Sequence, residues 1–321
     1  MTILKNRRTF IKQAAIASTV AFVPGKITGC MSSKSNRKFK MSLNPGAIGV
    51  RLNQEELLEA AVNYGFEAIV PFSRELVEWS DEQLKEFVSK MKSQNITWGA
   101  AGLPLNFRKD EATHKEGIEQ LPKHAATLQK AGVTRMSTWI MPTHPELTYL
   151  QNFKQHSERL REVCKIIGDH GIRFGMEYVG PKTLMASQKF PFVHTMAECK
   201  ELMEGIGEPN AGVQLDSFHW FCAGETKEDL LSLTKEQIAT VDLNDATAGR
   251  TADEQLDGER ELPMASGLVD MQSFMDAMVE IGYDGPMRAE PFNQPLRDME
   301  DDDALKTTFN AMSTAFALVD K

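Results

Sequence analysis

The sequence predicts an α/β protein built as a single (β/α)8 barrel, and three observations predict it. From residue 41 onward a motif of amphipathic helix, glycine or turn, and short apolar strand recurs. Eight such strands can be placed in 321 residues, which fits one barrel of roughly 250 residues plus extras. No glycine-rich phosphate turn follows the first strand, which argues against a doubly wound open sheet.

The strands are expected near 41–48, 66–71, 96–102, 133–140, 172–178, 211–216, 238–243 and 286–290. Four are announced by the residues before them. Asn63-Tyr64-Gly65 leads into Phe66 through Pro71, and Lys130-Ala131-Gly132 into Val133 through Ile140. Asp169-His170-Gly171 leads into Ile172 through Tyr178, and Ile281-Gly282-Tyr283-Asp284-Gly285 into Pro286 through Glu290. A glycine just past a helix takes the left-handed cap conformation and turns the chain back toward a strand. Helical patterns fill the gaps. In Ser157 to Ile167, Leu160, Val163, Cys164 and Ile167 share one face, and Glu158, Arg161, Glu162 and Lys165 the other. A last helix, about Asp302 to Leu318, closes the ring.

The chain is 41% hydrophobic and 25% charged, and its 22 glycines follow no repeat, so it is neither disordered nor collagen-like. No apolar run approaches the ~20 residues of a membrane-spanning helix. The formal charge is -9. Residues 1–30 hold Lys5, Arg7, Arg8, Lys12 and Lys26 and no acid, so the remainder sets 31 basic against 45 acidic residues. An acidic body matches the phosphate backbone of nucleic acid poorly, and a small neutral ligand better.

Asn6-Arg7-Arg8-Thr9-Phe10-Ile11-Lys12, followed by the apolar run Ala14 to Val23, resembles a twin-arginine export signal. Ile27-Thr28-Gly29-Cys30 resembles a lipobox, with Ile27 where leucine is commoner and Cys30 as the residue that would carry lipid. The expected organisation is an address over 1–30, a polar tether over 31–40 and a barrel over 41–321. The expected location is periplasmic or membrane-anchored, with the membrane touched only through the lipid. Such export carries folded proteins, which fits a cofactor inserted beforehand. Cys164, Cys199 and Cys222 are odd in number and widely spaced, so they are read as buried hydrophobes.

Several strands finish on acids: Met176-Glu177-Tyr178, Gln214-Leu215-Asp216 and Ala289-Glu290-Pro291, with Val241-Asp242-Leu243-Asn244-Asp245 on strand seven. Function gathers at the C-terminal strand ends of such barrels. Buried acids converging there imply a cation, because an unpaired buried charge is costly.

Glu177, the Asp216-Ser217-Phe218-His219 run, the Val-x-Leu strand seven and Glu290-Pro291-Phe292 resemble the xylose-isomerase-like barrels. That superfamily holds sugar isomerases and epimerases, inosose dehydratases and endonuclease IV-type repair enzymes. The resemblance covers residue 41 to the C-terminus. It implies one divalent metal, held by Glu177, Asp216 and Glu290, with a histidine of strand seven as fourth ligand. Here that position is Asp242. Either Asp242 binds the metal, giving an all-oxygen site that suits Mn²⁺ or Mg²⁺ better than Zn²⁺, with Co²⁺ or Zn²⁺ as the alternatives, or it holds a bound water. The resemblance further implies that Glu177 and Glu290 move protons on opposite faces of a sugar. Abstraction beside a carbonyl needs a base, an acid and enediolate stabilisation in any case.

His219, three residues past Asp216, is expected to contact a substrate oxygen, and Arg260 to lie on a substrate loop. Lys182 is expected on the same rim, and Trp139 and Phe292 either wall the pocket against a sugar face or pack into the core. His114, His124 and His156 sit in polar helical stretches and read as solvated.

The expected activity is metal-dependent isomerisation or epimerisation of an unphosphorylated sugar or keto-sugar. Elimination from the same enolate (a keto-sugar or inosose dehydratase or lyase) is one alternative, and a non-catalytic sugar-binding lipoprotein another. A three-zinc nuclease would need histidines where Val70-Pro71-Phe72, Leu103-Pro104-Leu105 and Asp242 stand, and 250–260 holds none.

Overall fold

A computed structural model describes residues 37–320. The export signal, the lipobox at Cys30 and tether residues 31–36 lie outside the described residues.

The barrel strands are β1 (Lys40–Leu43), β2 (Ala68–Ile69), β3 (Thr97–Trp98 and Ala101–Gly102), β4 (Arg135–Ile140), β5 (Arg173–Tyr178), β6 (Ala211–Asp216), β7 (Ile238–Asp242) and β8 (Pro286–Arg288). All pair in parallel with their neighbours in chain order, and β8 pairs with β1. β3 is broken at Gly99-Ala100. Its first half pairs with β2 and its second with β4, so the ring closes through that strand. Residues 45–48, expected to continue β1, instead form a 3-10 turn that begins at Pro45. Proline fixes φ and offers no ladder donor, so the strand ends before it.

The outer helices are α1 (Gln54–Tyr64), α2 (Asp81–Ser93), α3 (Glu111–Ala131), α4 (Tyr149–Gly168), α5 (Met196–Ile206), α6 (Ser217–Cys222), α7 (Met271–Ile281) and α8 (Asp301–Ala317). Lys227–Leu231 adds a further helical turn after α6. Their starts are written locally. Asn53 with Glu56, Ser80 with Gln83, and Thr195 with Glu198 form capping boxes at α1, α2 and α5. Gly65 and Gly132 end α1 and α3 at φ 88° and 82°, where a β-carbon would be strained.

α4 shows how the helices bury one face. Leu160, Val163, Cys164 and Ile167 are fully buried, while Glu158, Glu162 and Lys165 face solvent. Arg161 departs from its expected outer face: its guanidinium donates to the carbonyls of Ile206 (2.7 Å) and Gly205 (2.6 Å) and caps the end of α5. Cys164, Cys199 and Cys222 are free and buried, as expected.

His114 and His156 overturn the expectation of solvated faces, since both are buried. α3 and α4 are long helices packed side by side, so polar positions on one are covered by the other. His114 Nε2 lies 3.1 Å from Glu162, and His156 Nδ1 lies 3.0 Å from the carbonyl of Asn152. His124 is half-buried.

Candidate active site

Successive side chains of a strand face opposite sides of the sheet. The layer that faces the barrel interior at the C-terminal end is built by that rule. Register pairs Trp139 with Glu177, Glu177 with Gln214, Asp216 with Asp242 and Asp242 with Arg288. Glu177, Asp216 and Asp242 are buried, and Glu290, just beyond β8, is half-buried.

Asp216 caps α6, its Oδ1 accepting from the N–H of Phe218 at 2.7 Å. Its Oδ2 accepts from Arg260 Nη1 (2.7 Å) and Asn244 Nδ2 (2.8 Å). Asn244 Oδ1 in turn accepts from the N–H of Glu290 at 2.8 Å, so one amide orients two acids. Arg260 reaches inward from a loop pinned to the β8 end by its own N–H, which donates to Pro291 O at 3.1 Å. Its Nη2 lies 2.6 Å from Asp257 and 3.1 Å from His219 Nε2. Burial, with Arg260 beside it, holds His219 well below the usual imidazole range, so the ring is neutral.

Asp242 is equally engaged. Arg288 donates from Nε to Oδ1 at 2.7 Å and from Nη2 to Oδ2 at 3.1 Å, and Gln214 Nε2 donates to Oδ2 at 2.9 Å. Glu177 and Glu290 are different. Glu177 Oε1 is buried without a hydrogen-bond partner, and Arg288 approaches Glu290 Oε1 only to 3.5 Å. Burial, then the neighbouring carboxylates of Glu290, Asp242 and Asp216, push Glu177 well above the carboxylate range. Burial also raises Glu290, with Arg288 and Arg260 pulling it back. Asp216 is pushed by burial up to about 7.

Four carboxylates therefore meet two guanidinium groups, leaving two negative charges unbalanced even before the partly exposed Asp257 is counted. Glu177, Asp242 and Glu290 offer oxygens within 4.8 Å of one another, as do Glu177, Asp216 and His219 their own ligand atoms. An orphaned buried carboxylate oxygen inside a doubly negative, mostly oxygen donor set fits a divalent cation.

Residues 58–313 match the model of the xylose isomerase-like TIM barrel. The chain belongs to that family. An inosose isomerase of Bacillus velezensis is 23% identical over 288 residues, spanning 88% of this chain and 98% of the relative. A xylose isomerase domain protein from Alicyclobacillus acidocaldarius superposes with a TM-score of 0.78 at 25% identity, covering 88% of this chain and 100% of that one. The IolI protein with a bound zinc atom gives 0.72 at 20% identity, covering 88% and 99%. A D-psicose 3-epimerase in the presence of D-fructose gives 0.68 at 14% identity, covering 88% and 100%. The likeness is to sugar isomerases and epimerases, and the donor set here is one that a divalent metal fits.

In this member of the xylose isomerase-like family, Glu177, Asp216, Asp242, Glu290, His219 and Arg260 converge as the sequence suggests. Lys182 does not join them. It begins a short helix past β5, is half exposed, and pairs with Asp253 at 2.6 Å. Trp139 is 44% exposed at the end of β4. Phe292 takes φ 45° and lies between Arg260 (4.7 Å) and Arg297 (5.5 Å). Sequence reading missed Arg288, Gln214 and Asn244. Each sits two residues from a recognised acid on the same strand or its extension, so the period of two would have placed all three in the site.

Proposed function

We propose that this protein is a divalent-metal-dependent isomerase or epimerase of an unphosphorylated sugar or keto-sugar, working by proton transfer through an enediolate. The observation that carries the reading is the pair Glu177 and Glu290, the two carboxylates of the layer without a strong donor, beside an excess of two negative charges. Glu177, Asp216, Asp242 and Glu290 would hold the cation, the middle pair through lone pairs left over from their arginine and amide contacts. When bound, the metal polarises a carbonyl and stabilises negative charge on its oxygen.

The chain's own groups divide the proton work. Glu177 and Glu290 are the two carboxylates of the layer that no strong donor holds, which leaves them to take a proton from the substrate and return it. His219, whose Nδ1 accepts from the N–H of Gly180, and Arg260, bonded to Asp216 and Asp257, hold one another and position the acids around the site. Arg260 and Arg288 are each taken up by carboxylates, so the layer repels a phosphate, which supports an unphosphorylated substrate.

The test is solvent-deuterium incorporation into keto-sugars by the metal-reconstituted protein. Exchange at one carbon without loss of mass is expected, and Glu177→Gln and Glu290→Gln should each slow it about 10²–10⁴-fold with an unchanged circular-dichroism spectrum. Loss of water or an alcohol from the substrate would assign elimination instead. Undiminished exchange in both variants would overturn the assignment of roles.

A further inference from the structure

Beside the barrel mouth, where β4 ends, lies a cavity of about 210 Å³ that the carboxylate layer does not use. Trp139, Arg108, His144, Asn152 and His156 line it. Three of these side chains carry a buried polar atom with no partner: Arg108 Nε, Asn152 Oδ1 and His156 Nε2. Each such atom is destabilising if left unsatisfied. Asn152 and His156 are 1% and 4% exposed, so bulk water does not relieve them. Three around one cavity mark a place for a polar ligand.

The bonds already made show which atoms donate and which accept. His156 Nδ1 faces the Asn152 carbonyl and carries the proton, which leaves Nε2 as an acceptor. Burial holds that ring neutral, with its pKa down at about 3. His144 Nδ1 accepts from the N–H groups of Glu146 (3.0 Å) and Leu147 (2.7 Å), so its Nε2 carries the proton and donates. Arg108 donates to Thr138 Oγ1 at 2.9 Å and to the carbonyl of Trp139. Its guanidinium lies 4.0 Å from the Trp139 ring and 4.4 Å from that of Phe107, and no carboxylate among the described residues is within ion-pair reach. The cavity thus sets donors from Arg108 and His144 beside acceptors from Asn152 and His156, against an indole.

An anion would satisfy the donors and leave both acceptors facing negative charge. A hydroxyl group donates and accepts at once, and the C–H face of a sugar packs on an aromatic ring. Trp139 also links the cavity to the reaction centre. It is the register partner of Glu177 on the neighbouring strand, and both point into the barrel mouth.

We propose that this cavity is a second saccharide subsite, which holds a neutral sugar ring attached to the one that reacts at Glu177 and Glu290. The substrate is then a glycoside or disaccharide rather than a free monosaccharide. The identity of the reacting ring rests on the proposed function. The existence of the subsite does not.

The experiment therefore uses the Glu177→Gln protein without added metal, titrated with cellobiose, D-glucose and inorganic phosphate, and reads tryptophan fluorescence. Trp139 is the most exposed of the four tryptophans. Saturable cellobiose binding is expected, tighter than D-glucose, and weakened about tenfold or more when Trp139→Ala is added and binding is read by titration calorimetry instead. Asn152→Leu and Arg108→Met should each weaken it about tenfold or more, as loss of a buried hydrogen bond predicts. Melting curves identify a variant that fails to fold, and the other then decides. No saccharide binding at millimolar concentration, equal binding in both folded variants, or tighter binding of phosphate would each overturn the subsite. A failed deuterium-exchange assay alongside normal cellobiose binding would overturn only the proposed chemistry.

Discussion

The two ends of the barrel both bury charge, and they treat it differently. At the N-terminal end, Arg135 sits almost fully buried beneath the sheet. Its Nη1 donates to the carbonyls of Ile238 and Ala239 at 3.0 Å, and its Nη2 to Asp284 at 2.7 Å. Asp284 is shared with the partly exposed Lys235 at 3.7 Å, two carbonyls take up the rest of the buried guanidinium, and no acid is left over. At the C-terminal end, four acids meet two arginines and one carboxylate oxygen is left bare. A buried charge that is matched is a structural device, whereas one left over is a stored demand for a ligand or a proton.

The same substitution at each end breaks this comparison. Arg288→Met leaves Asp242 buried with only Gln214, and removing one partner of a buried pair typically costs about 3–5 kcal/mol. The metal-free protein should therefore melt well below the wild type. Because the deficit there becomes three negative charges, added Mn²⁺ should raise the melting temperature of Arg288→Met more than that of the wild type. Calorimetry with and without Mn²⁺ checks both. Equal metal shifts in the two proteins would mean that the layer does not act as one electrostatic unit.

Arg135→Met should cost less, about 2–3 kcal/mol, since its partner Asp284 is partly exposed and water takes over some of the pairing. Here Mn²⁺ should restore nothing, because the lost cation lies at the closed end of the barrel. Rescue by metal at this end would abolish the distinction between the two sites.

What the sequence revealed follows the same division. Glu177, Asp216, Asp242 and Glu290 were legible because strand period and strand ends are local properties. The helix caps at Asn53 and Gly65 were equally local. The break in β3 at Gly99-Ala100 depends on which neighbour each half meets, so nothing nearby in the chain announces it. The burial of His114 and His156 depends on α3 lying beside α4. Lys182 finds Asp253, and Arg108 finds Trp139, only after long stretches of chain have folded back. Arg288 was overlooked for another reason: a cation on a strand reads as an exception, until Asp242 beside it in register makes it a partner.

Glu225 supplies a third and smaller case, a half-buried acid bonded by neutral donors, with His194 as the nearby group that favours its charge. It accepts from the hydroxyl of Tyr178 at 2.5 Å and from the N–H of Met196, at the start of α5, at 2.6 Å. Both bonds favour the carboxylate, yet burial outweighs them and pushes the group from 4.5 up to about 7. A carboxyl raised in the fold stabilises while protonated. Its contribution is fully present below the unfolded value and is lost as pH climbs through about 7. That gap corresponds to about 3 kcal/mol at most, reduced by whatever water reaches the site. Glu225→Gln keeps an acceptor and removes the titration. Urea midpoints should therefore differ little between variant and wild type near about pH 5. Near about pH 8 the variant should be the more stable protein, because only the wild type must then bury a charge. If the wild type lost no stability relative to the variant across that interval, its two donors would compensate the buried carboxylate fully. Glu225 would then belong with Arg135 among the matched charges rather than with Glu177.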